Sequence, residues 1–153
     1  MKQIETALKL LPDSNKYGQF IHFGVSGALS DRAGVGDIVM ASRYLAADQP
    51  ALILPTGEIS LQGKIPVLDF FSTDSGVLDE ASRSAAHVWG GEAVDMESYA
   101  VAQYCVAKTI PLLALRVISD RAGDTARDDF KHHYRAAAEK LQNFLLAKVL
   151  PPS

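Results

Sequence analysis

The sequence has a single cysteine, Cys105, so no intrachain disulfide can form, and the lone thiol fits a reducing cytoplasm. No apolar run is long enough to span a bilayer, so no membrane partner is expected. Neither sign of charge dominates: the formal net charge is −3 over 153 residues, with acids and bases interleaved. The basic patch that nucleic-acid binding requires is therefore missing. No Gly-Lys-Ser/Thr follows the glycine-rich segment and no GxGxxG occurs, which argues against a Walker loop and a dinucleotide fingerprint. The four histidines, His22, His87, His132 and His133, show no HxxxH spacing. With one cysteine there is no CxxC either, so they read as surface or edge residues, not metal ligands. Cys105 lies in an Ala-rich stretch and reads as packed core.

What is present is one domain's worth of apolar sequence, 48% of the chain, with no repeat or linker. The expectation is a single domain spanning 1–153. Met1–Leu11 reads as an amphipathic helix with Ile4, Leu8 and Leu11 on one face, stopped by Pro12, Asp13, Ser14 and Asn15. Strands are expected at Phe20–Val25, Val35–Ala41, Ala51–Leu54, Ile65–Phe71, Ala93–Val94 and Pro111–Ile118. Helices are expected at Leu78–Val88, Glu97–Lys108 and Ala126–Val149, the last with Phe130, Tyr134, Ala137, Leu141, Phe144 and Leu145 on its apolar face. Thr125 and Asp128 read as its capping pair, and Pro151 and Pro152 end the chain. Strands alternating with helices predict an α/β domain. Because several strands follow one another between 35 and 71, the sheet should be mixed and partly curled, in a three-layer α/β/α arrangement.

Polar residues cluster where three of these strands end, which is where open α/β sheets bind ligands. The segment His22-Phe-Gly-Val-Ser-Gly-Ala28 supplies small residues whose free N–H groups suit an anion or a polarised water, or else form a plain tight turn. In Asp95-Met96-Glu97-Ser98, paired carboxylates suit a vicinal diol and the methionine offers an apolar surface to a sugar. The competing reading makes Asp95 a helix cap and Glu97 a residue of the first helical turn. In Ser119-Asp120, an acid at the mouth of the most buried strand is a candidate proton donor, its pKa raised by desolvation. The competing reading is the start of a loop.

Together, FGVSGALSDRAGVGDIV, AVDMESYAVAQYC and IPLLALRVISDRAGD resemble the nucleoside phosphorylase/nucleosidase superfamily, over nearly the whole chain. The resemblance implies cleavage of the N-glycosidic bond of a purine-type nucleoside, by hydrolysis or phosphorolysis. It implies no cofactor, with inorganic phosphate as the only candidate co-substrate. By resemblance, Asp120 is the general acid to the base, oriented by Ser119. Glu97 holds the ribose and Met96 packs on it, with Asp95 a further substrate-binding carboxylate on the paired-acid reading above. Gly24, Val25 and Ser26 approach the nucleophile's side, and Phe71 or Phe70 stacks on the base. Family members often carry Ser or Thr where this chain has Val25, which tilts the reading toward hydrolysis. Family members are also longer, so an N-terminal part bringing further strands and the nucleophile's side of the pocket is expected to be missing, leaving an unpaired sheet edge. The resemblance further implies a cytoplasmic homo-oligomer, a dimer or hexamer. The alternative is a non-catalytic relative that binds a nucleoside or a partner. A nucleotide-dependent oxidoreductase is the weakest reading.

Overall fold

The computed structural model describes residues 2–11, 18–57, 61 and 65–150. Pro12–Asn15, Pro151 and Pro152, where the sequence places two chain stops, lie outside the described residues. The order is α1 (Lys2–Leu8), β1 (Phe20–Ala28), β2 (Ile38–Leu45), β3 (Val67–Ser72), α2 (Glu80–Val88), β4 (Ala93–Asp95), α3 (Ser98–Lys108), β5 (Leu112–Asp120) and α4 (Ala126–Phe144), which runs on through a π-turn at Leu145–Val149.

The sheet is mixed, as expected, but its curling goes to completion. The strands pair in the order β1-β4-β3-β2-β5 and β5 closes back on β1 as a barrel. β1 lies parallel to β5, and β3 lies parallel to both β2 and β4. β4 against β1 and β2 against β5 are antiparallel. Closure at β1 rests on two residue pairs, Gly27 with Val94 and Ala28 with Ala93. From Phe20 to Ser26, β1 is paired on the β5 side alone among the described residues, and Phe23 there is 55% exposed.

β5 is buried along its whole length, which is why it reads as a nearly unbroken apolar run. Its alternate residues serve two packings. Leu112, Ala114 and Ile118 join Tyr99, Val101, Ala102 and Cys105 of α3 and Leu8 of α1. Leu113, Leu115 and Val117 join Ala137 and Leu141 of α4, with Leu145 and Val149. Helices therefore pack on both sides of β5, around a closed sheet instead of the open one that a three-layer description implies.

Several sequence expectations shift. The run Ala51–Leu54 makes only an isolated bridge, Leu52 to Tyr44. The second strand starts later than Val35, because Gly36 takes φ +90° and the Asp37 carboxylate accepts the Gly34 N–H at 2.8 Å, forming a turn. Helix α1 is regular only to Leu8, and Leu11 is left 38% exposed. Thr125 does not cap α4 with its side chain; its hydroxyl donates to Asp129 at 2.8 Å. Phe130 and Tyr134 lie outside the buried stripe of α4 and stack loosely on each other at 5.2 Å.

Candidate active site

The C-terminal ends of β1, β4 and β5 converge on a cavity of about 470 Å³, within the usual range for small-molecule sites. Val25 and Ser26 from β1, Asp95, Met96 and Glu97 from the end of β4, and Ser119 and Asp120 from the end of β5 all line it. Seven residues singled out from the sequence thus meet in one place, although they come from three distant segments.

Asp120 is the chemically distinctive group. It is 8% exposed. Ser119 donates to its Oδ2 at 2.7 Å, and the Ser119 hydroxyl also lies 3.3 Å from the carbonyl of Ser26. No cation pairs with Asp120 among the described residues. Burial raises its pKa, the Ser119 hydrogen bond offsets part of that, and the charge of Asp129 adds to the rise. Gly27 makes room for it: a Cβ there would sit 2.8 Å from Asp120 Oδ1 and 3.1 Å from the Ala122 Cβ.

Asp95 has the opposite surroundings. Its Oδ1 accepts from the Ser72 hydroxyl at 2.7 Å and from the backbone N–H groups of Glu97 and Ser98 at 3.2 and 3.1 Å. Its Oδ2 takes the Ser98 hydroxyl and the Arg116 guanidinium, Nη2 at 2.8 Å and Nε at 3.1 Å. Burial pushes the Asp95 carboxyl up, but Arg116 and the hydrogen bonds from Ser98 and Ser72 outweigh it and hold the carboxyl below its ordinary value. With both oxygens fully engaged, Asp95 has no lone pair to offer a ribose. This corrects its expected role: Asp95 organises the turn that carries Glu97, which falls at the N-cap of α3. Glu97 is half-buried and Met96 is 38% exposed, and both border the cavity.

Two other expectations change. Gly24 does not line the cavity; it lies against the Arg116 guanidinium, whose Cζ would be 3.8 Å from an added Cβ. Phe71 is 4% exposed and borders a separate cavity of about 500 Å³ with Ser72, Thr73 and Tyr99, and Phe70 is fully buried beneath Arg116. Neither ring offers a stacking face in the first cavity. His22 is not a surface residue either: it is part-buried, with Nδ1 3.0 Å from Arg116 Nη2. Since arginine can only donate, the imidazole must accept there. Burial, and then the Arg116 charge, push its pKa down to about 3.

Sequence reasoning missed Arg116, whose charge is hidden in an apolar strand; the signal available was a lone cation in LLALRVI. It also missed the wall formed by Val77, Leu78, Arg127, Phe130 and Lys131. Among the described residues no group of three His, Cys, Asp or Glu side chains is placed to hold a metal ion, and no helix is long and apolar enough to cross a membrane.

A mixed, closed sheet with helices around it and a ligand-sized cavity at its strand ends defines an α/β small-molecule site. The chain belongs to the phosphorylase superfamily, whose sequence model matches residues 60–150. It is 26% identical to an aminodeoxyfutalosine nucleosidase of Campylobacter jejuni over 80% of this chain and 65% of that protein. It is also 26% identical to a 5′-methylthioadenosine/S-adenosylhomocysteine nucleosidase of Haemophilus ducreyi, over 90% of this chain and 71% of that one. The chain thus spans about two thirds of the length of these relatives. Its fold is that of a Helicobacter pylori futalosine hydrolase, with a TM-score of 0.78 at 20% identity over 94% of this chain and 71% of that one. A Colwellia psychrerythraea methylthioadenosine/adenosylhomocysteine nucleosidase, solved with adenine, superposes with a TM-score of 0.77 at 21% identity, covering 92% of this chain and 70% of that one.

Proposed function

We propose that this site hydrolyses the N-glycosidic bond of a purine-type nucleoside. The observation that carries the reading is Asp120, a buried carboxyl with a raised pKa and no cationic partner among the described residues, at the mouth of a ligand-sized cavity. A purine anion is a poor leaving group, so a proton delivered to the base as the bond breaks lowers the barrier. Ser119 holds Oδ2 and leaves Oδ1 as the oxygen that carries that proton. Glu97 accepts the ribose hydroxyls, which matter more as the sugar gains oxocarbenium character, and Met96 packs against the sugar. The exposed faces of Phe130 and Leu78, not those of Phe70 or Phe71, supply the apolar wall.

Hydrolysis is favoured over phosphorolysis because Val25 borders the cavity where a phosphate-binding hydroxyl is expected by resemblance. The flank of β1 that is unpaired among the described residues, with exposed Phe23, favours self-association, and the resemblance makes that a cytoplasmic dimer or hexamer. The test is release of free purine from a panel of nucleosides with and without phosphate. Release independent of phosphate is expected. Release only with phosphate would replace hydrolysis by phosphorolysis, and no binding of any nucleoside in calorimetry would favour a non-catalytic relative.

A further inference from the structure

Among the described residues, two buried side-chain polar atoms have no hydrogen-bond partner, the Ser26 hydroxyl and Arg83 Nε. Of the two residues, only Ser26 lines the cavity, and it is 4% exposed. The other hydroxyls of the cavity wall are engaged: Ser119 donates to Asp120 at 2.7 Å, and Thr73 donates to the carbonyl of Ser75. Burying a hydroxyl without a bond destabilises a fold, so a group left in that state calls for an explanation. The plain one is that serine is small enough to pack inside a strand. Pairing fixes where Ser26 lies. It is level with Ile118 of β5, whereas Gly27 is level with Asp120, so the ladder skips Ser119. On the other side Gly27 pairs with Val94, which brings Ser26, one residue earlier, level with Asp95 at the end of β4. Asp95 does not take the Ser26 hydroxyl, because its oxygens already accept from Ser72, Ser98, Arg116 and the amides of its own turn. Gly27 thus sits on the Asp120 side of the cavity and Ser26 on the side of Asp95 and Glu97.

We propose that Ser26 is a positioning residue whose hydroxyl holds the water that attacks the sugar. The inference rests on the nucleosidase reading, in which the base meets Asp120 and the 2′,3′-diol meets Glu97. In a natural β-nucleoside the base and the diol lie on opposite faces of the sugar ring. Water that displaces the base reaches C1′ from the face opposite the base, which is the face of the diol. That face is turned toward Glu97, and Ser26 lies on the same side. The hydroxyl oxygen accepts one O–H of the water and so aims the water's lone pair at C1′. The water oxygen bonds to C1′ as the C1′–N bond breaks, and the electron pair leaves with the base, which takes the Asp120 proton. The proton that the water gives up passes to the Glu97 carboxylate and then to solvent, and Asp120 regains a proton from solvent. Ser26 itself gains and loses none.

The experiment is Ser26→Ala, read by purine release without phosphate and by urea denaturation of the free protein. The expected result is a kcat about tenfold lower with KM changed by less than about twofold, because the contacts to the nucleoside remain and only the nucleophile is less well held. The free protein loses no hydrogen bond, so the urea midpoint should be unchanged or higher. A lost contact to the nucleoside itself would instead raise KM at constant kcat. That result, an unchanged kcat, or a fall in kcat accompanied by a lower urea midpoint overturns the inference and leaves the nucleosidase reading intact. If the unsubstituted protein releases purine from no nucleoside of the panel, the nucleosidase reading fails and the inference falls with it.

Discussion

Asp95 ends β4 and Asp120 ends β5, on either side of β1 in one barrel, and both are more than nine-tenths buried, yet their pKa values are pushed in opposite directions. Burial pushes both carboxyls up. At Asp95 a fully buried arginine and a ring of hydroxyl and amide donors reverse that push. At Asp120 one serine hydroxyl does not. Burial alone therefore does not mark an acid for chemistry; what decides is whether a cation has been buried with it. The member paired with Arg116 fixes the turn that presents Glu97, and the member without a cationic partner among the described residues lines the cavity. Pushing the pKa values of two carboxyls apart in this way is a recurring means of giving two acids different roles.

Breaking the proposed general acid should have the largest effect. Asp120→Asn keeps the shape and removes the acid, and kcat should fall by about 10²–10⁴-fold with little change in melting temperature. Breaking the structural member should do the reverse. Arg116→Met strands the Asp95 charge, and chemical denaturation should show a loss of about 3–5 kcal/mol. Gly27→Ala sharpens the comparison from the side of position: the new Cβ must displace the Asp120 carboxylate, and kcat should drop by about tenfold to a hundredfold, with a smaller loss of stability. The smallest effect concerns His22. Its pKa is depressed to about 3, so the unfolded chain takes up a proton that the folded chain refuses. That contribution to stability is complete above about pH 6.5 and is lost as pH falls toward 3. His22→Gln, which can still accept from Arg116, should flatten the upper part of this acid limb in thermal melts at successive pH values.

The strand ends were legible in the sequence because each buried run stops at a polar residue, as in Arg116-Val-Ile-Ser119-Asp120. Asp120 and Glu97 were legible for the same reason. The split between Asp95 and Glu97 was not, since both are acids beside a methionine and only the position of Arg116, brought in from another strand, tells them apart. Phe71 was misplaced because alternation in a strand does not say which face meets a ligand. The closure of the barrel was likewise hidden, because it depends on the antiparallel pairings of β1 with β4 and of β2 with β5, which no local pattern announces.

The division between the two acids can be read directly by following the carboxyl carbon resonances of Asp95 and Asp120 through a pH titration. Asp120 should titrate above the ordinary aspartate value of about 3.9 and Asp95 below it, with Asp120→Asn removing only the upper transition. An Asp120 that titrates at or below the ordinary value, or an order of titration in which Asp95 gains its proton first as pH falls, would contradict the account.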